Sequence, residues 1–149
     1  MNIFELNLIK TYVDVKAKSA LFEMMVSDLY ENEVISDKVG FLNALHARES
    51  SLSTGIGNGI AIPHGRHDSV KELKAVVYIL ADGVDYNALD GYPVNLVFML
   101  AIPPGASSEY MKMLGLISKA LQNTDNRDFF FTSNNAQEIY NFLQGISNG

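Results

Sequence analysis

The chain has 149 residues, 48% of them apolar, which suits one domain of ordinary size with a real core. Its formal net charge is −6 with no block of lysine or arginine, which argues against a nucleic-acid surface and against an anionic membrane surface. There is no cysteine, so disulfides, thiolate metal sites and cysteine nucleophiles are excluded.

Met1 to Glu5 has no basic stretch, and Glu5 and Lys10 interrupt any apolar run, so a signal peptide is not expected. No apolar run approaches the length needed to cross a bilayer, and the expectation is a cytoplasmic protein without direct membrane insertion. Leu21, Met24, Met25 and Leu29 recur at helical spacing and predict an amphipathic helix from about Lys18 to Glu31. Ser36 is expected to cap a second helix, with Val39, Leu42 and Leu45 on its buried face, ending near Arg48. Ile60-Ala61-Ile62 before Pro63 reads as a short strand. Ala75–Ala81 and Val94–Ile102 are nearly continuous apolar runs, as in strands buried on both faces. Between them Asp82-Gly83 and Asp90-Gly91 read as turns. Pro103-Pro104-Gly105 ends the second run, and Ser107 is expected to cap a helix with Tyr110, Leu114, Ile117 and Leu121 on one face. Asn134 with Gln137 starts the last helix, which Gly145 closes. Interleaved helices and strands without linker or repeat predict one α/β sandwich domain over residues 1–149.

The most informative stretch is Ser53-Thr54-Gly55-Ile56-Gly57-Asn58-Gly59-Ile60-Ala61-Ile62-Pro63-His64-Gly65. Its glycines at alternate positions permit positive φ or close approach of a ligand. Two readings stay open at this point. The glycines allow the chain to turn, or their N–H groups converge on an anion in the manner of a phosphate nest. The spacing G-x-G-x-G is not the G-x-G-x-x-G of the dinucleotide fingerprint, and a strand rather than a helix follows it; the Walker pattern fails too, since no Gly-Lys-Ser/Thr ends the run.

Together with Arg48-Glu49, this run resembles the phosphorylation-site signature of the mannitol/fructose-class (type 2) enzyme IIA domains. These belong to the bacterial phosphoenolpyruvate-dependent sugar phosphotransferase system and include the nitrogen-regulatory IIA proteins. The resemblance extends from near Ala20 to near Phe142. It implies a mixed sheet with helices on both faces, a phosphohistidine at His64 and a phosphate clamp at Arg48. It also implies a phosphocarrier donor, HPr or its nitrogen-branch counterpart, and a IIB domain or a regulatory target as receiver. Neither a cofactor nor a metal is expected.

The chemistry agrees with those residue types. Imidazole is largely neutral near pH 7, and its N–P bond is more labile than a phosphate ester. Arginine presents a planar fork that grips two phosphoryl oxygens. The N–H groups of Gly57, Asn58 and Gly59 are candidate phosphate donors, and Gly65 is expected to leave room for a docking partner. His46, two residues before Arg48, is read as structural, and His64-x-x-His67 lacks the further ligands of a metal site. Relatives commonly carry a second active-centre histidine where this chain has Tyr110, which either joins the pocket or only caps the apolar stripe of its helix. A phenol there donates a hydrogen bond but stays neutral. Tyr110 and Asn58 both lean towards the nitrogen-regulatory branch over sugar transport.

Overall fold

The computed structural model describes residues 2–148. Within these described residues, six strands form one mixed sheet: β1 (Phe4–Val13), β2 (Gly55–Gly57), β3 (Ile60–Ala61), β4 (His64–Arg66), β5 (Lys74–Val84) and β6 (Val94–Ile102). The path through the sheet is β1-β5-β6-β3-β2, and β4 also pairs with β6. β1 runs parallel to β5, β5 antiparallel to β6, and both β3 and β4 parallel to β6. Among the described residues, five helices complete the fold: α1 (Lys18–Glu31), α2 (Lys38–Ser51), α3 (Ser107–Leu121), α4 (Thr124–Thr132) and α5 (Ala136–Ser147).

The alternation of side chains along β5 and β6 divides the core in two. Val76, Tyr78, Val97 and Met99 meet Phe22, Met25, Phe41 and Leu45 of α1 and α2. Val77, Ile79, Phe98 and Leu100 meet Met113, Ile117, Phe130, Ile139 and Leu143 of α3 to α5. Helices therefore cover both faces of the sheet, as expected. The nearly continuous apolar runs of β5 and β6 follow from that double burial.

α1 and β6 occupy their expected ranges. Other details differ. Met24 is exposed, and the buried face of α1 runs through Leu21, Phe22, Met25, Val26 and Leu29. Asp37, not Ser36, caps α2 by accepting from the Gly40 N–H, and Val39 is 70% exposed while Phe41 takes the buried place. α2 also continues past Arg48 to Ser51. β5 runs on through Asp82-Gly83, because a register shift after Ile79 lets Val84 pair with Val94. Ser107 lies inside the first turn of α3 and gives no capping bond. Asn135, rather than Asn134, caps α5, and Gly145 lies within the helix. β1 and α4 are not anticipated by the sequence pattern. Among the described residues, no helix is long and apolar enough to cross a membrane.

Candidate active site at His64

β3 and β4 form one line along β6, interrupted by Pro63. Proline has no N–H to give, but its carbonyl still accepts from Leu100 N–H at 2.9 Å, so the line holds its register. His64 then pairs with Leu100 and Gly65 with Ala101. Gly65 is buried against α2: a Cβ there would lie 3.2 Å from the Phe41 ring and 3.5 Å from the Leu45 backbone N. Its bareness serves helix packing and not, as the sequence suggested, the approach of a partner. The close seat of α2 on β4 brings the last turns of that helix, and Arg48 with them, beside His64.

The imidazole is held at both nitrogens. Nδ1 lies 3.2 Å from the Ile62 carbonyl, which only accepts, so Nδ1 carries the proton. Nε2 lies 3.1 Å from Arg48 Nε, which only donates, so Nε2 presents its lone pair. Arg48 is anchored in turn, donating from Nη1 to the Leu52 carbonyl at 2.7 Å. The ring of Tyr110 lies 5.3 Å from that of His64, tilted by 42°. Tyr110 is 8% exposed and belongs to the apolar cluster, so one side chain both packs its helix and borders the imidazole. Burial lowers the His64 pKa below the ordinary imidazole value, and the charges of Arg48 and Arg66 act in the same direction against the Ile62 bond and Glu49. The ring is therefore neutral at pH 7. Burial likewise raises the Tyr110 pKa, which keeps its hydroxyl protonated.

The Gly57–Gly59 turn is a separate structure. All three residues have positive φ, at 97°, 58° and 77°, which closes the β2–β3 hairpin. The Asn58 N–H donates to Asp90 Oδ2 at 3.1 Å, so a carboxylate already occupies the place expected for phosphate. Ile60 pairs with Leu96 and His64 with Leu100, a matched advance along two extended strands. Five extended residues place Gly59 about 16 Å from His64. Gly57, Asn58 and Gly59 are thus too distant to bind a group on His64, and their conformation serves the turn.

The other histidines play local parts. His46 packs its ring 5.6 Å from Phe22. His67 Nδ1 accepts from the Ser69 N–H at 3.1 Å and lies 2.8 Å from the Ser69 hydroxyl. Among the described residues, no cluster of three or more histidine or acidic side chains is arranged to hold a metal ion. Sequence reasoning assigns no role to Glu49, whose side chain is 7% exposed and bonded to Lys18 and Thr54. Its adjacency to Arg48 within the motif is the one signal that points to it.

Comparison with known proteins extends the picture. Residues 2–145 match the family described as "Phosphoenolpyruvate-dependent sugar phosphotransferase system, EIIA 2". A nitrogen regulatory protein of Pseudomonas aeruginosa is 40% identical over 105 residues, covering 70% of this chain and 68% of that one. The fructose-specific EIIABC component of Bacillus subtilis is 38% identical over 130 residues; the match takes in 85% of this chain but spans only 20% of that longer protein. The crystal structure of nitrogen regulatory protein IIA-Ntr from Neisseria meningitidis superimposes with a TM-score of 0.89 at 32% identity, covering 95% of this chain and 97% of that one. A domain-wide match, a shared fold and an imidazole held beside an arginine agree, and the chain belongs to the EIIA type 2 family of the phosphoenolpyruvate-dependent sugar phosphotransferase system.

Proposed function

We propose that the domain is a phosphoryl carrier in which His64 Nε2 accepts the phosphoryl group and Arg48 clamps it. The observation that carries this reading is the pair of contacts on the ring: the Ile62 carbonyl accepts from Nδ1–H, which leaves the Nε2 lone pair beside the guanidinium. In the transfer, the Nε2 lone pair forms a bond to phosphorus as the donor's own N–P bond breaks. The electrons of that bond return to the donor imidazole. Arg48 Nε exchanges its bond to Nε2 for one to a phosphoryl oxygen, while Nη1 stays on the Leu52 carbonyl. The Nδ1–H···O=C bond to Ile62 stabilises the positive charge the ring acquires. Little covalent work remains, and positioning with charge stabilisation carries the rate. Tyr110 supplies shape and a neutral O–H donor, without the positive charge a second histidine could bring.

The donor is a protein, HPr or its nitrogen-branch counterpart, and exposed Leu52 and Met111, next in sequence to Ser53 and Tyr110, suit a protein surface better than a small molecule. The role is nitrogen-regulatory, in the cytoplasm, with the phosphorylated state deciding which target protein is bound. Tyr110 and Asn58 support that branch. The likeness to a fructose-specific EIIABC component favours the second reading, transfer to a IIB domain in sugar uptake. Incubation with phosphoenolpyruvate, enzyme I and HPr tests the carrier reading. An acid-labile, alkali-stable adduct should form and be absent in His64→Ala; undiminished labelling of that variant refutes it.

A further inference from the structure

Behind Arg48 and His64 lies a second set of polar side chains that the transfer itself does not use. The Glu49 carboxylate receives Lys18 Nζ at 2.9 Å, the Thr54 N–H at 2.9 Å and the Thr54 hydroxyl at 2.6 Å. Thr54 gives its one hydroxyl proton to Glu49, so the Tyr86 phenol, 2.7 Å away, donates to Thr54 Oγ1. Lys18 also donates to the Tyr86 carbonyl at 3.0 Å and stands 4.0 Å from the centre of the Tyr86 ring. Burial alone would raise the Glu49 pKa, but the bonds from Thr54 and Lys18 outweigh it and hold the carboxyl below its ordinary value. The network joins α1, α2, the segment entering β2 and the segment after β5 at one ionised group. Every member has a partner, the condition under which a buried polar network specifies one arrangement.

Thr54 is where this network meets the site. Its carbonyl accepts from the Ile62 N–H at 3.0 Å, and the Ile62 carbonyl sets the His64 tautomer. Two residues before it, the Leu52 carbonyl anchors Arg48. We propose that Glu49 is a positioning residue for phosphoryl transfer: by holding Thr54, it fixes the Leu52 carbonyl against Arg48 and the Ile62 carbonyl against His64. One buried carboxylate thereby aligns the clamp and the nucleophile, which lie sixteen residues apart in the chain. The inference rests on the reading of His64 as phosphoryl acceptor.

Three full-length variants test it. Glu49→Gln keeps the shape but removes the charge facing Lys18. Thr54→Val removes the hydroxyl bridging Glu49 and Tyr86, and Thr54→Ser retains it. The readouts are ¹⁵N shifts of the His64 ring, steady-state transfer from phosphorylated HPr, and melting temperature. Glu49→Gln and Thr54→Val should lower the maximal rate roughly tenfold or more with donor KM within about twofold. Their His64 ring should move from a single Nδ1–H tautomer to a mixture, while Thr54→Ser stays near wild type in both respects. Wild-type ring shifts, or wild-type rates, in the folded variants overturn the proposal. If Glu49→Gln does not fold, the two Thr54 variants decide by the same criteria. The ring shifts need no phosphoryl donor, so a wild-type chain that takes no phosphate refutes the carrier reading separately.

Discussion

Gly57–Gly59 and Pro63–Gly65 lie in the same run, and both look like loops built around glycine, but they do opposite things. The first uses its conformational freedom for three successive positive φ angles and is closed by Asp90. The second has no residue of positive φ; it is a strand segment with one proline and one buried glycine. The proposed chemistry sits on the second. In the first stretch positive φ serves a turn, while the candidate site forms where a missing Cβ lets a helix bring its arginine to a strand's histidine.

Arg48→Lys puts the most weight on that contrast. Losing the planar fork should cost on the order of 1.5–3 kcal/mol in the transition state, as for a charge-assisted bond. Transfer should slow by roughly ten- to a hundredfold in a folded protein. Wild-type transfer rates would reduce Arg48 to a charge at the end of α2. Gly65→Ala should come next. The added methyl meets the Phe41 ring at 3.2 Å, so it should destabilise by about 1–3 kcal/mol and also slow transfer as α2 is displaced. Equal stability and rate would show that Phe41 gives way freely and that glycine is not needed there.

Gly59→Ala probes the other stretch. At φ 77° the left-handed conformation costs an alanine roughly 1–2 kcal/mol, so denaturation should shift while transfer by the folded protein does not. A slowed transfer at unchanged stability would restore a phosphate role to the turn. The smallest effect concerns pH. Because burial holds the His64 pKa below 6.5, its NMR titration should lie below that value and transfer should persist under mildly acidic conditions. Between 6.5 and the lowered value the unfolded chain binds the extra proton and the native one does not. Stability should therefore fall as pH drops through that window and level off beneath it. A titration at or above 6.5 would mean that the ring is more open to water than its packing implies.

Long, chemically uniform elements are legible in the sequence. α1 and β6 keep their expected ranges because an amphipathic stripe and a nearly continuous apolar run leave few alternatives. β1 is not legible. Phe4, Leu8, Ile9 and Val13 are buried, but Glu5, Asn7, Lys10 and Thr11 break any clean period, and the strand exists by pairing with β5 far along the chain. α4 is short, with one fully buried side chain, Phe130, stacked edge-on against Phe98 and Phe142. Asp82-Gly83 has turn composition, yet the ladder to β6 resumes at Val84 and carries it into β5.

The proposed reacting groups, His64 and Arg48, are legible in the sequence because the motif that carries both is local and resembles a family signature. Which imidazole nitrogen is free, what aims the arginine, and that Glu49 stands behind both do not follow from it. Those depend on the Ile62 and Leu52 carbonyls, on Thr54, and on Lys18 and Tyr86 from other elements. Hydrogen bonds are short and directional, so only the packing of α1, α2 and the sheet decides which of these groups come within reach of one another.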